Sequence, residues 1–357
     1  MTAFLRDPHP NPTPADRRAA LVADPQFGRV FTDHMVSIRY KEGQGWHDAR
    51  LMPRGPLTLD PATAVLHYAQ EIFEGLKAYK LDDGAMALFR PDANAARFAA
   101  SARRMAMAEL PPAMFVDACK QLIRADADWF PSAEGGSLYL RPFMYASEAF
   151  LGVKPSAEYH FLVIASPVGN YFKSGAPAVS LWVSDDYTRA APGGTGAAKC
   201  GGNYAASLAA QQQAAGYDQI VFLDAVERRW IEELGGMNVM FVFADGSIVT
   251  PPTSDTILHG ITRDALLTLA RDAGLTVREE PYAIDQWQAD AESGRLTESF
   301  ACGTAAVVTP IGKVTRGTTS FTIGAGGPGQ VTGMLKDKLV AIQRGRAADV
   351  HGWVVRV

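Results

Sequence analysis

A loop-forming stretch in mid-chain, Val168-Gly169-Asn170-Tyr171-Phe172-Lys173-Ser174-Gly175-Ala176-Pro177, interrupts an otherwise mixed pattern of short strand-like runs and longer helical ones. Glycine and proline punctuate the backbone there, so the chain reads as two lobes of mixed α and β structure. A length of 357 residues agrees, because one hydrophobic core usually stops growing before that size. Ahead of the loop, strands are predicted at 34–40, 85–89, 137–143 and 160–165, and helices at 93–107 and 114–129. Residues 1–27 read as an extended, proline-punctuated arm. Beyond the loop come strands at 179–184, 219–223, 230–234, 238–243 and 247–250, with Ala244-Asp245-Gly246 as a hairpin turn. Helices are predicted at 204–215, 261–272 and 331–344.

Bulk properties remove several function classes. A net charge of -4 and a pI near 6.0 give no electrostatic case for nucleic acid or an anionic membrane. The longest apolar runs, such as 161–165 and 239–244, are far too short to span a bilayer, and the amino-terminal segment has no apolar core of a secretory signal. Cys119, Cys200 and Cys302 are odd in number and widely spaced. That pattern predicts reduced thiols in a cytoplasmic protein, not disulfides or zinc. The seven histidines lack ligand spacing, so no metal site is expected.

Lys199 carries the strongest chemical signal. It lies in Gly193-Gly194-Thr195-Gly196-Ala197-Ala198-Lys199-Cys200-Gly201-Gly202-Asn203-Tyr204, a run of small residues with no acidic partner nearby in sequence. Such residues let backbone or ligand approach closely. A lysine drawn out of water becomes a usable nucleophile, and Schiff-base formation with a carbonyl is the chemistry it supports. A flexible surface loop is the competing reading. The run is not a phosphate-binding loop of the Walker type, because Cys200 follows the lysine where Ser or Thr should stand. Gly324-Ala325-Gly326-Gly327-Pro328-Gly329 satisfies GxGxxG, but only residues 330–357 follow it, too few for a dinucleotide fold. It is read as a surface loop capping the last helix.

Further candidates gather around the lysine. Glu232-Glu233 interrupts an apolar strand, and alternation allows only one of the two to point inward. An inward carboxylate there needs a positive charge or a proton donor, such as a protonated pyridine nitrogen. Gly260-Ile261-Thr262-Arg263-Asp264 opens a helix directly after a loop and offers backbone N–H groups, the positive dipole end and a hydroxyl to phosphate. Cys302-Gly303-Thr304-Ala305-Ala306 has the makings of an anion nest. Arg97 lies in an alanine-rich helix with Arg103 and Arg104 following, and arginine's fork suits phosphate. Tyr139 and Arg141 share a strand face suited to a carboxylate. Tyr68 and Phe73 flank a segment that could wall an apolar pocket.

Taken together, these stretches resemble the branched-chain amino-acid aminotransferases of the fold-type IV class nearly end to end. The matching residues are Phe31-Thr32-Asp33-His34-Met35, Ile72-Phe73-Glu74-Gly75-Leu76-Lys77-Ala78-Tyr79, Phe89-Arg90-Pro91, Lys199-Cys200-Gly201-Gly202-Asn203-Tyr204, Glu233-Leu234-Gly235-Gly236-Met237-Asn238, Gly260-Ile261-Thr262-Arg263 and Gly303-Thr304-Ala305. The resemblance implies a small amino-terminal α/β domain (1–168), an interdomain loop (169–178) and a larger pseudo-barrel domain that binds the cofactor (179–357). It implies a homodimer and pyridoxal 5'-phosphate, with Lys199 as the catalytic Schiff-base and proton-transfer lysine. Glu233 would pair with the pyridinium nitrogen and Tyr204 with the phenolic oxygen. Arg97, Ile261, Thr262 and Thr304 would hold the phosphate. The choices of Glu233 over Glu232, and of Arg97 over Arg90 or Arg103, come from the resemblance alone.

For substrate, the resemblance assigns the α-carboxylate to Tyr68 and the backbone N–H groups of Thr304 and Ala305. The side-chain pocket would comprise Phe31, Phe73 and Tyr139, closed by Leu151 and Val153 of the partner subunit, with Arg141 at glutamate's γ-carboxylate. The implied reaction exchanges an amino group between leucine, isoleucine or valine and 2-oxoglutarate. Two departures stand out. Ala306 and Thr309 occupy the positions where some members carry a CxxC pair, so no thiol switch is expected, and Gly236 stands where some members have a threonine close to the cofactor ring. A D-amino-acid aminotransferase or an aminodeoxychorismate lyase would share the lysine and carboxylate. A binding protein without cofactor is the alternative from another class.

Overall fold

The computed structural model describes residues 3–133, 135–169 and 178–357, so the expected interdomain loop lies outside the described residues except for 169 and 178. The chain forms two compact units. The first comprises Met1–Tyr171, Ala198–Gly201 and Ile342–Val357, and the second comprises Phe172–Ala197 and Gly202–Ala341. The first unit is therefore not one contiguous stretch: the four residues around Lys199 and the carboxyl-terminal segment both belong to it.

The first unit contains β1 (Leu5–Arg6), α1 (Ala15–Ala23), β2 (His34–Lys41), β3 (Gly45–Pro53), α2 (Ala64–Tyr68), β4 (Glu71–Phe73), β5 (Leu76–Lys80), β6 (Met86–Phe89), α3 (Pro91–Arg104), α4 (Pro112–Ala125), a 3-10 turn at Ala127–Trp129, β7 (Ser137–Ala146) and β8 (Glu158–Val168). Its sheet runs β1-β3-β2-β8-β7-β5-β6 and ends on the last strand of the chain, with β4 added beside β7. Period-two alternation decides the two faces. Leu138, Leu140 and Met144 of β7 are fully buried, and Ile72 and Leu76 join them in the core. Tyr139, Arg141 and Phe143 are half-buried on the other face. Against the core side lie α3 and α4, where Phe115, Ala118, Cys119, Leu122 and Ile123 recur at helical spacing and are buried. The rings of Phe98, Phe115 and Phe161 meet at centroid distances of 5.4–6.0 Å. Ala198 and Cys200 pack into this same core, on either side of Lys199.

The second unit contains β9 (Val179–Ser184), α5 (Gly201–Gln213), β10 (Gln219–Leu223), β11 (Ile231–Leu234), β12 (Asn238–Phe243), β13 (Ile248–Thr250), α6 (Ile261–Asp272), β14 (Val277–Glu279), α7 (Ile284–Glu292), β15 (Leu296–Gly303), β16 (Val307–Arg316), β17 (Thr319–Thr322) and α8 (Gln330–Gln343); β18 (Val354–Arg356) returns to pair with β6. The sheet order is β11-β10-β9-β16-β15-β12-β13-β14, with β17 beside β16. Its core is built on Val183, Val221, Phe241, Trp287 and Phe321, and the buried Trp287 indole donates to Ser299 Oγ at 3.1 Å.

Several elements differ from expectation. The amino-terminal arm is not extended throughout, because Ala15–Ala23, entered from an extended Pro14, forms a helix with Val22 buried. Helix α3 starts two residues earlier than predicted, at Pro91, whose fixed φ suits a first helical position. The GxGxxG segment does sit before α8, and it frames an anion belonging to the protein itself. Glu298 accepts from the N–H groups of Val331 (3.0 Å) and Thr332 (2.8 Å) and from Thr332 Oγ1 (2.7 Å). A Cβ on Gly329 would collide with the Glu298 carboxyl group, so a side chain there would push that carboxylate off the helix start. No described helix is long and apolar enough to cross a membrane.

Candidate active site

In the first unit the main chain around Lys199 is fixed at three points. Its N–H donates to Ser101 Oγ of α3 at 3.0 Å, and its carbonyl accepts from the Phe73 N–H of β4 at 2.9 Å. Two residues on, the Gly201 N–H donates to the Glu71 carboxylate. With Ala198 and Cys200 buried on either side, the Lys199 side chain leaves the core, and its ammonium stands 4.8 Å from the centroid of the Phe73 ring. Lys199 is half-buried, so the expected withdrawal from water is partial in this chain.

Glu74 follows Phe73 and is fully buried. Arg97 donates to it through Nε (2.7 Å) and Nη2 (2.8 Å), Asn94 Nδ2 at 2.8 Å and the Gly75 N–H at 3.1 Å. Burial alone would raise this carboxyl, but the charges of Arg97 and Lys199 and the Asn94 bond hold it below the usual range. Arg97 is thereby oriented by a two-pronged carboxylate pair. Beside it, the Arg141 guanidinium lies 4.7 Å from the Phe73 centroid and 5.5 Å from that of Tyr139, with Nη2 donating to Tyr139 Oη at 3.3 Å.

The second unit gathers its own set. Glu233 is buried; its Oε1 accepts from the Leu258 N–H at 3.0 Å and pairs with Arg189. Arg189 Nη2 also donates to the carbonyls of Gly196 (2.9 Å) and Thr256 (2.5 Å). Glu232 is buried as well, against the expectation that only one of the pair would be. Strand β11 is covered on both sides, so its outward residue meets Thr256 Oγ1 at 2.5 Å in place of water. Burial raises the Glu232 carboxyl, and its Oε2 has no partner among the described residues.

One residue of β12 organises the remainder. Asn238 Nδ2 donates to the Leu258 carbonyl at 3.1 Å, and a Cβ on Gly260 would collide with Asn238 Oδ1. Asn238 also pairs with Cys302 in β15. The start of α6 and the turn after β15 therefore lie on either side of it. Gly260, the residue before α6, has no side chain to cap the helix, and the Thr262 and Thr304 hydroxyls make no hydrogen bond among the described residues. Tyr204 lies at the same corner, its ring 3.9 Å from where a Gly236 Cβ would stand.

Within each unit, then, the structure assembles Lys199, Phe73, Arg97, Tyr139 and Arg141, and separately Tyr204, Glu233, Ile261, Thr262, Thr304 and Ala305. Other expected residues stand apart. Phe31 lies under the Arg54 guanidinium at 5.1 Å and lines an open cavity of about 380 Å³ with Trp129 and Arg17, while Phe27 takes the position against Tyr139, 5.0 Å between centroids. Tyr68 is exposed at the end of α2, stacked on Phe150 at 6.3 Å. Leu151 and Val153 are 74% and 93% exposed. Sequence reasoning missed Ser101, Glu71 and Arg189. No local pattern marks them, because each acts on a residue distant in sequence. All three cysteines are buried and free, and burial pushes the Cys302 thiol up to about 12.

Within the second unit, a guanidinium-paired buried carboxylate at Glu233 and hydroxyls with no partner among the described residues at a helix start and a tight turn suit a phosphorylated ring, and within the first unit the Lys199 amine suits a carbonyl. Comparison with known proteins agrees. The amino-transferase class IV family model matches residues 71–314. The probable branched-chain-amino-acid aminotransferase of Streptomyces coelicolor is 58% identical over 97% of this chain and 96% of its own length. The branched-chain-amino-acid aminotransferase of Mycobacterium tuberculosis is 57% identical over the same shares. Among solved structures, the T.th. branched-chain amino acid aminotransferase with pyridoxamine 5'-phosphate superposes with a TM-score of 0.73 at 28% identity, covering 90% of this chain and 98% of that one. The same enzyme has been solved with N-(5'-phosphopyridoxyl)-L-glutamate, at a TM-score of 0.71.

Proposed function

This chain belongs to the class IV aminotransferases, within the branched-chain-amino-acid group, and on that premise we propose that it exchanges amino groups between leucine, isoleucine or valine and 2-oxoglutarate with pyridoxal 5'-phosphate. The observation that carries the reading is Lys199, whose backbone is held at N–H and carbonyl and whose amine stands over Phe73. When bound, the cofactor supplies an electron sink for the substrate's α-carbon.

The chain's own residues do the rest. Lys199 Nζ holds and moves the proton, and its fixed backbone limits where that proton can be delivered. Glu233, kept in place by Arg189 and the Leu258 N–H, faces the ring nitrogen with negative charge. Tyr204 Oη serves the phenolic oxygen. Thr262, Thr304 and the α6 start at Ile261 would hold the phosphate. On the substrate side, the N–H groups of Thr304 and Ala305 take the α-carboxylate. Phe73 and Tyr139, with the Phe27 ring against Tyr139, wall the side-chain pocket, and Arg141 receives a distal carboxylate. Apolar walls gain from burying methyl groups, while one arginine accommodates the charged substrate.

We read the enzyme as a homodimer in the cytoplasm. The exposure of Leu151 and Val153 supports a second copy as their cover, and three buried reduced cysteines agree with the compartment. Amino-donor specificity of the purified enzyme tests the substrate class. Turnover of L-leucine with 2-oxoglutarate is expected, and activity on D-alanine without activity on L-leucine overturns the reading. Lys199→Ala is expected to abolish turnover, and normal transamination by that variant removes Lys199 from its role.

A further inference from the structure

Strand register brings a second carboxylate to the substrate side of the first unit's sheet. In the β4–β7 pair, Glu71 faces Tyr145 and Phe73 faces Phe143. Directly opposed residues share a face, as do alternate residues of one strand. Glu71, Phe73, Tyr139, Arg141 and Phe143 therefore project from one side. Arg141 is incompletely satisfied there: its Nε is buried without a hydrogen-bond partner, and no described carboxylate lies within 4 Å of its guanidinium. Glu71 is half-buried with the Gly201 N–H as its hydrogen-bond donor; burial raises its carboxyl, while the Gly201 bond and the Arg141 charge on the same face, without direct contact, oppose that rise.

An enzyme of the proposed function admits two kinds of side chain to one pocket. With a branched side chain bound, the half-buried Arg141 charge has no substrate partner, and withdrawing an unpaired cation from water is costly. With a dicarboxylate bound, the distal carboxylate pairs with Arg141. We propose that Glu71 is the counter-charge that sets this choice: it balances Arg141 when the pocket holds an apolar chain, and it repels the incoming carboxylate when the pocket holds a dicarboxylate. Glu71 thus favours branched-chain substrates at the expense of 2-oxoglutarate and glutamate. The same carboxylate also holds the Gly201 N–H, two residues beyond Lys199, so it is a positioning residue for that turn.

These two tasks separate by substitution. Glu71→Gln removes the charge but keeps an oxygen to accept from Gly201, whereas Glu71→Ala removes both. The inference rests on Arg141 as the distal-carboxylate residue, so Arg141→Gln is measured alongside. Binding of glutarate and of 4-methylvalerate to the holoenzyme is read by calorimetry, with the Michaelis constants for 2-oxoglutarate and L-leucine as the kinetic counterpart. For Glu71→Gln, glutarate is expected to bind tighter and 4-methylvalerate weaker, so that the ratio of the two affinities moves on the order of tenfold, about the change 1.4 kcal/mol produces. The Michaelis constants are expected to follow. Glu71→Ala is expected to lower kcat for every substrate through the loosened Lys199 turn. Parallel shifts of both ligands in Glu71→Gln, or none, overturn the counter-charge. Unchanged glutarate binding in Arg141→Gln overturns the Arg141 assignment instead, and a wild-type enzyme inactive on L-leucine overturns the proposed function.

Discussion

Glu232 and Glu233 are neighbours in β11, yet their partners give them different work. Arg189 and the Leu258 N–H fix Glu233, so Glu233→Gln is expected to keep the cofactor and slow the chemistry roughly 10²-fold, as losing a preorganised charge typically does. An unchanged single-turnover rate assigns the ring nitrogen to another residue. His160 carries a different prediction. Burial first, then the Arg39 charge, lowers its pKa to about 4, and its ring nitrogens meet Ser37 Oγ (2.7 Å) and Tyr145 Oη (3.0 Å). Between pH 6.5 and 4 the unfolded chain binds a proton there that the native state refuses, so stability falls as pH falls through that window, by an amount on the order of 3 kcal/mol. Urea midpoints at pH 7 and pH 5 should differ more in the wild type than in His160→Gln. Residue chemistry was legible where a motif carried it, as at Lys199. It was not legible at Glu71, Ser101 or Arg189, whose roles depend on partners 130, 98 and 44 positions away in the chain.

At the scale of elements, short apolar runs, the helical period of α6 and the turn residues around them located β9, β10, β12 and α6 to the residue, because each is bounded by a loop. Strand β3 escaped notice since Trp46, His47, Asp48 and Arg50 break the pattern, and every residue of it but Leu51 is half-buried between two other strands. The hairpins from β15 to β17 were hidden by threonines and glycines that satisfy strand and turn alike. Helix α8 shows an element secured by a distant side chain. Glu298 in β15 accepts three hydrogen bonds from its first turn, satisfying donors that a helix start otherwise leaves unpaired. Glu298→Ala should cost about 1–3 kcal/mol by leaving those donors without their charged acceptor, measured by urea unfolding. A loss below a few tenths of a kcal/mol contradicts the cap. Phe98→Ala should cost about 3–5 kcal/mol, since its ring is fully buried against Phe115 and Phe161.

At the scale of the molecule, two lobes were legible from the central loop and the length, but their membership was not. Residues 198–201 join the first unit because Ala198 and Cys200 fill its core and the Lys199 main chain bonds to α3 and β4. Such a return depends on three-dimensional packing that no local periodicity reports. The exposed Leu151 and Val153 lead to a prediction on assembly: Val153→Asp should weaken self-association and raise the Michaelis constant for leucine, as sedimentation and kinetics would read. The central claim, that Lys199 serves a cofactor which branched-chain amino acids load and 2-oxoglutarate unloads, meets its most direct test in a spectral titration of the purified holoenzyme. Addition of L-leucine is expected to abolish the visible band of the lysine-bound cofactor, and 2-oxoglutarate is expected to restore it. A band indifferent to L-leucine, or one that Lys199→Ala retains unchanged, would contradict the account.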